Sequence, residues 1–251
     1  MSLFPLRRVC VLLALIVTTV PLLHADSNAR EIIRQVDTDR QPRTTRSEMT
    51  LRVYAGAQSD QVTREFTLLT MTRSDEESYT EFLSPANIAG IRLLQTKDTM
   101  RVFFPSTGRV RTVSGRARTG SVGGVGGDFT YEDIDAAPFG ERFTDFELID
   151  ESESRWTISA TPAVAGSAYD RVVLHIDRQR TAVARIDYFA AGEQVKQMET
   201  TGFTSVVGRS VPTEFSMVNL KADSRSVLRI DELEWNIFLR DRFFDPDRFH
   251  R

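Results

Sequence analysis

From residue 49 onward the apolar residues recur with a period of two. Met49, Leu51 and Val53 alternate with Thr50, Arg52 and Tyr54, and Phe66, Leu68 and Thr70 with Thr67, Leu69 and Met71. Met100, Val102 and Phe104 flank Arg101 and Phe103, and Trp156, Ile158 and Ala160 flank Thr157 and Ser159. The same rhythm returns at Val172, Leu174 and Ile176, at Ala184, Ile186 and Tyr188, at Phe215 and Met217, and at Leu228 and Ile230. Successive side chains of a strand point to opposite faces, so each run predicts a strand with one apolar and one wetter face. Turn residues separate the runs, around Gly56, at Pro105-Ser-Thr-Gly108 and at Gly192. Short connections make neighbouring strands antiparallel. The reading is about ten strands in one mostly antiparallel sheet, with few helices.

Two stretches break the rhythm. Asn28 and Glu31 have the spacing of a capping box, and Ala29, Ile32, Ile33 and Val36 follow at helical spacing. This predicts an amphipathic helix that starts at Asn28 and ends before Pro42. In the middle, Gly120 to Gly127 is glycine-dense, and Asp128 is placed to cap a short helix through Ile134. Pro138 and Gly140 would end that insertion.

Residues 1–25 read as a secretory leader rather than part of the fold. Arg7 and Arg8 precede an apolar run from Val9 to Val20, and Ala25 stands before Asp26-Ser27-Asn28. The run is about 12 residues, short of the ~20 that a spanning helix needs. Its removal leaves residues 26–251 as a single domain without cysteine, because Cys10 is the chain's one cysteine. It also takes the formal net charge from −3 to −5. An acidic chain lacks the positive footprint that nucleic acid requires. An exported domain of this kind is placed in the periplasm.

Catalytic constellations are not evident. His175 lies on a strand face opposite Leu174 and Ile176 and reads as a surface residue. His250 sits beside the end of the sequence and is expected to be mobile. Two separated histidines without cysteine do not make a zinc site. The glycine run lacks the Gly-Lys-Ser/Thr of a phosphate loop and the dinucleotide spacing. Adjacent carboxylates such as Glu132-Asp133 are explained by helix capping. No cofactor and no catalytic residue are expected.

Charge is segregated. From Thr99 to Gly127 there are arginines at 101, 109, 111, 116 and 118 and no acid, whereas Asp128 to Glu153 holds ten acids and one base, Arg142. Arg109, Arg111, Arg116 and Arg118 are candidates for docking an anionic lipid or acidic partner. The simpler reading is opposite charges pairing across neighbouring strands.

Met100-Arg-Val-Phe-Phe-Pro-Ser-Thr-Gly-Arg-Val-Arg-Thr-Val-Ser114, followed by Gly127-Asp-Phe-Thr-Tyr-Glu-Asp-Ile134, resembles the outer-membrane lipoprotein-sorting proteins of the LolA-like superfamily. The likeness is to an uncharacterised branch often found beside lipid-exporting membrane pumps. Ser84-Pro85, Gly90-Ile91 and Phe243-Phe-Asp-Pro246 also fit. The resemblance implies a strongly curved antiparallel sheet, an unclosed half-barrel, lidded by the N-terminal helix and the central insertion. It further implies an apolar concave side that accepts acyl chains. Candidate lining residues are Leu51, Val53, Phe66, Leu68, Met100, Val102, Phe104, Trp156, Ile158, Ile186, Tyr188, Phe215 and Met217.

The expected function is a periplasmic carrier or chaperone. It would bind acyl chains of a lipid or lipoprotein and pass them toward the outer membrane or a membrane partner. An inner-membrane lipid exporter is a possible donor and an outer-membrane protein a possible acceptor. The alternative is a lipid-sensing or accessory module of a membrane transporter or regulator, without shuttling. A transmembrane β-barrel would show similar alternation, and an enzyme is the remaining option.

Overall fold

The computed structural model describes residues 23–40, 44–74, 76–97, 99–206 and 208–251. Most of the expected leader lies outside the described residues. Its last three residues begin helix α1, Leu23–Arg40. The helix therefore starts before Asn28, which is an exposed residue within it rather than its cap. The expected apolar stripe is present, with Ala29, Ile32, Ile33 and Val36 all buried. Among the described residues no helix is long and apolar enough to cross a membrane.

The described residues hold thirteen strands in one sheet. The first six are β1 (Thr45–Tyr54), β2 (Val62–Ser74), β3 (Glu77–Ser84), β4 (Arg92–Gln95), β5 (Met100–Phe104) and β6 (Arg109–Val113). The other seven are β7 (Phe143–Glu151), β8 (Arg155–Pro162), β9 (Arg171–Asp177), β10 (Ala182–Ala190), β11 (Glu193–Val206), β12 (Arg209–Asn219) and β13 (Ser224–Trp235). Their order is β6-β5-β4-β3-β2-β1-β13-β12-β11-β10-β9-β8-β7. Two meanders thus meet where β1 pairs antiparallel with β13, with Leu51 opposite Leu228. The sheet is not closed, and its edges are β6 and β7.

Curvature has a visible source. Bulges interrupt the register at Glu48/Met49, Val53/Tyr54, Thr67/Leu68, Tyr188/Phe189 and Thr200/Gly202. Each adds local twist. Gly202 is required at its bulge, because a Cβ there would stand 2.9 Å from Thr213 Oγ1 and 3.0 Å from Glu214 Cβ.

The concave side carries the main core, where α1 packs on the sheet. The convex side carries ion pairs such as Arg52–Glu65 (2.7 Å) and Arg185–Asp187 (2.7 Å). A membrane barrel would place its apolar band outward. This sheet places it inward, so the membrane-barrel alternative is excluded.

Residues 236–251 form a strap on the convex side. Leu239, Phe244 and Phe249 bury against Met71, Tyr79 and Leu94. His250, expected to be mobile, is half-buried with its ring 5.5 Å from that of Phe103. Aromatic packing holds this end of the chain down.

The insertion between the two edge strands crosses the concave side. The expected helix from Asp128 to Ile134 is absent as such. Ser121 and Thr130 form an isolated bridge, and one turn closes through Ile134 N–H to Thr130 O (3.2 Å). Thr130 and Asp133 cap each other reciprocally at 2.9 and 3.3 Å. Pro138, with no N–H to donate, precedes the short helix α2 (Phe139–Arg142). Asp37 of α1 accepts the N–H groups of Phe139 and Gly140 at 2.8 and 2.9 Å and so caps α2 from across the lid.

Candidate functional site

The thirteen candidate lining residues converge. Leu51, Val53, Phe66, Leu68, Met100, Val102, Ile158, Ile186, Tyr188 and Met217 are buried in one cluster, and Phe104, Trp156 and Phe215 pack on its border. The cluster also holds α1 through Ile33 and Val36, and the insertion through Val122, Phe129 and Tyr131. The concave face is therefore covered. Open volume lies at one end, in a groove of about 540 Å³ whose apolar lining includes Phe66, Ile88 and Val125. Of the thirteen candidates, Phe66 lines it.

What holds the insertion down is polar. Asp128 is 4 % exposed. Its carboxylate accepts the hydroxyls of Ser224 (2.5 Å) and Ser226 (2.7 Å) on β13, and its own N–H donates to Ser226 Oγ at 3.0 Å. The side chain is thus occupied by the sheet and does not cap a helix. Asp133 accepts Lys196 Nζ from β11 at 3.0 Å and the Tyr169 hydroxyl at 2.8 Å. Lys196 Nζ also donates to Asp128 O at 2.7 Å. Glu132 accepts the Ser167 hydroxyl and the Ala168 N–H. Asp135 accepts Gln95 of β4 at 2.5 Å and pairs with Arg118. Every acid from 128 to 135 is pinned to another part of the chain.

Such pins differ from grease. Removing one partner of a buried ion pair costs ~3–5 kcal/mol, because the other charge is left unpaired in a poor solvent. Burial drives the Tyr169 hydroxyl well above the ordinary phenol range, reinforced by the Asp133 carboxylate beside it. Tyr169 therefore serves as a hydrogen-bond donor. Burial alone would raise the Asp135 carboxyl, but Arg142, the Ala137 N–H, Arg118 and Gln95 outweigh it and hold that group below the usual carboxylate range. Tyr188, at 1 % exposure, has a hydroxyl without a hydrogen-bond partner among the described residues.

The four docking candidates do not form one patch. Arg109 and Arg111 are exposed on β6, opposite Phe104 and Val102, so they share the concave side of the sheet's edge. The Arg111 guanidinium lies 5.5 Å from the Phe104 ring centroid. Arg116 is exposed on the 3-10 turn Gly115–Thr119. Arg118 turns inward to Asp135. The expected pairing of basic and acidic segments across neighbouring strands is overturned, since β6 and β7 are opposite edges of the sheet.

His175, read as a surface residue, is half-buried, and its Nε2 lies 2.9 Å from Asp187 Oδ2. Arg185 and Gln194 donate to the other oxygen at 2.7 and 2.8 Å. These four residues sit on the convex side, away from the lid. Sequence reasoning did not single out Lys196, Ser224, Ser226, Tyr169 or Arg64. One signal was available for Lys196. The chain has three lysines, and this one stands between Val195 and Met198, inside a strand-like run.

A family model described as "Uncharacterized protein" matches residues 74–251. The chain belongs to that family. The family match begins at the last residue of β2 and spans the groove's far wall, the lid acids and the convex strap. Among solved structures, a DUF1329 family protein from Desulfovibrio piger is 19 % identical, with a TM-score of 0.79 over 89 % of this chain and 98 % of that one. A candidate outer membrane lipoprotein-sorting protein domain from Vibrio parahaemolyticus is 16 % identical, with a TM-score of 0.75 over 90 % and 100 %. A LolA superfamily protein from Nitrosomonas europaea is 20 % identical, with a TM-score of 0.70 over 87 % and 98 %. The fold is that of the LolA superfamily. Comparison with the curated proteins finds no match.

Proposed function

We propose that the protein is a periplasmic carrier or chaperone whose concave face takes up acyl chains of a lipid or lipoprotein. The observation that carries this reading is the contrast between an apolar concave lining and a cover pinned to it by buried polar groups. A cover fixed by Lys196–Asp133 and Ser226–Asp128 can leave as a unit, because its pins find water once they part. An acyl chain then replaces Phe129, Tyr131 and Val122 against the same lining. Each buried methylene contributes ~0.8 kcal/mol, so a long chain can offset the loss of the pins.

Binding here makes and breaks no covalent bond. Release needs a partner that favours the open state, such as an outer-membrane acceptor. The predicted leader supports a periplasmic location, and the likeness to a lipoprotein-sorting domain supports cargo with acyl chains. One observation favours a second reading, an accessory module that stays bound to a transporter or regulator. Arg109 and Arg116 are exposed and have no ion-pair partner among the described residues.

Delipidated protein titrated with a fluorescent fatty-acid probe tests the main reading. We expect saturable binding near one probe per chain, competed by unlabelled long-chain fatty acid. Absence of saturable binding refutes it.

A further inference from the structure

Arg64 occupies an unusual place at the open end of the concave face. It lies two residues before Phe66 in β2 and so shares that residue's inward side. Its Nη1 donates to Val125 O at 2.5 Å. The guanidinium rests on the backbone of Gly126, where a Cβ would stand only 2.3 Å from Nη1. Gly126 has φ +77°, so it serves both the turn and the arginine. Nearby arginines are neutralised: Arg52 holds Glu65 at 2.7 Å and Arg225 holds Asp60 at 3.7 Å. Arg64 has no carboxylate within ion-pair reach among the described residues, although it is exposed.

The groove beneath it is apolar on its floor, through Phe66, Ile88 and Val125. Arg109 stands at the same end of the strands but four strands away on β6, and it does not line the groove. Ser84 is opposite Thr67, Glu81 opposite Arg92, Arg92 opposite Phe103 and Phe104 opposite Arg109. The mouth therefore combines an apolar slot with one unneutralised guanidinium, that of Arg64, while Glu65, which also lines it, is held by Arg52. That is the chemistry of a phosphate head above an acyl tail. A guanidinium binds phosphate oxygens through several N–H donors, with charge assistance that a neutral carbonyl does not give.

We propose that this mouth binds the anionic phosphate headgroup of a glycerophospholipid, with Arg64 as its ligand. The proposal rests on the acyl-carrier reading and extends it to the cargo's head.

The test uses the full chain, delipidated, with two fluorescent lipids of identical acyl chains, phosphatidylglycerol and diacylglycerol, which lacks the phosphate. The readout is the ratio of their affinities. We expect phosphatidylglycerol to bind at least tenfold tighter, Arg64→Gln to bring the ratio to about one, and Arg64→Lys to retain part of the preference. Equal affinities in the unaltered protein overturn the headgroup site while leaving the acyl reading intact. A preference that survives Arg64→Gln overturns the role of Arg64. Failure of both lipids to bind overturns the carrier reading and this proposal together. Millimolar glycerol 3-phosphate should not displace the lipid. If it does, the site is one for small phosphates and the lipid assignment falls.

Discussion

The sheet is covered on both sides, and the two covers are built differently. On the convex side the strap 236–251 is attached chiefly by apolar burial, with Phe244 and Phe249 against Met71, Tyr79 and Leu94, and its ion pair Arg73–Asp241 lies exposed. On the concave side the segment from 120 to 135 is also apolar underneath, but its position is fixed by Asp128, Asp133, Asp135 and Lys196. Apolar contact is non-directional and has no single point of failure. A buried charge network is held by a few specific bonds and fails when one is lost. On the proposed carrier reading the strap is permanent structure and the segment 120–135 is the part that releases.

The largest effect expected from this contrast follows Lys196→Met. It leaves Asp133 without its cation and should cost about 4 kcal/mol. The loss should appear as faster amide exchange in 120–134, with the strap amides unchanged. Equal loosening of both covers would break the distinction. Next, Phe249→Ala should lower unfolding stability in urea by about 3 kcal/mol through the cavity it leaves. It should leave fatty-acid affinity within about twofold, whereas a large loss of affinity would tie the strap to binding.

Acid sharpens the comparison further. The folded-state pKa of Asp135 is depressed, so its contribution is present above the unfolded value near ~4 and is lost as pH falls through the lower folded value. Uptake of a hydrophobic dye should stay flat from about pH 8 to 5 and rise only below about pH 4. A rise near about pH 6 would point to histidine instead. The smallest effect belongs to Tyr188→Phe. Deleting a buried hydroxyl without a partner should be neutral or stabilising, by under about 1 kcal/mol. A clear loss of stability in thermal melts would mean that the hydroxyl is satisfied in solution.

The legible strands were those with one face in water. Leu51 and Val53 stand in register because Arg52 between them reaches water. Strand β4 was illegible for the opposite reason. Its adjacent Leu93 and Leu94 point to opposite faces, one under the concave core and one under the strap, and both are buried. Period two disappears when both faces are dry. The Asp128 cap failed differently: a carboxylate with good local geometry for an N-cap found better donors in Ser224 and Ser226, some hundred residues on. The thirteen candidate lining residues were gathered on one side by alternation alone, but their cover over the concave face was not readable from it.

Alternation, turn residues and the spacing of α1's apolar stripe determined by themselves that this chain makes a meandering sheet with one greasy side and a helix to lay on it. These are local properties, set by the two-residue repeat of strands and the 3.6-residue repeat of helices. Which edges stay open, which acids meet Lys196, and that Arg64 meets Val125 at the groove were decided only when bulges curled the sheet and two meanders joined at β1 and β13. Contacts between residues far apart in the chain depend on register and curvature summed over many strands, and no local stretch of sequence contains that sum.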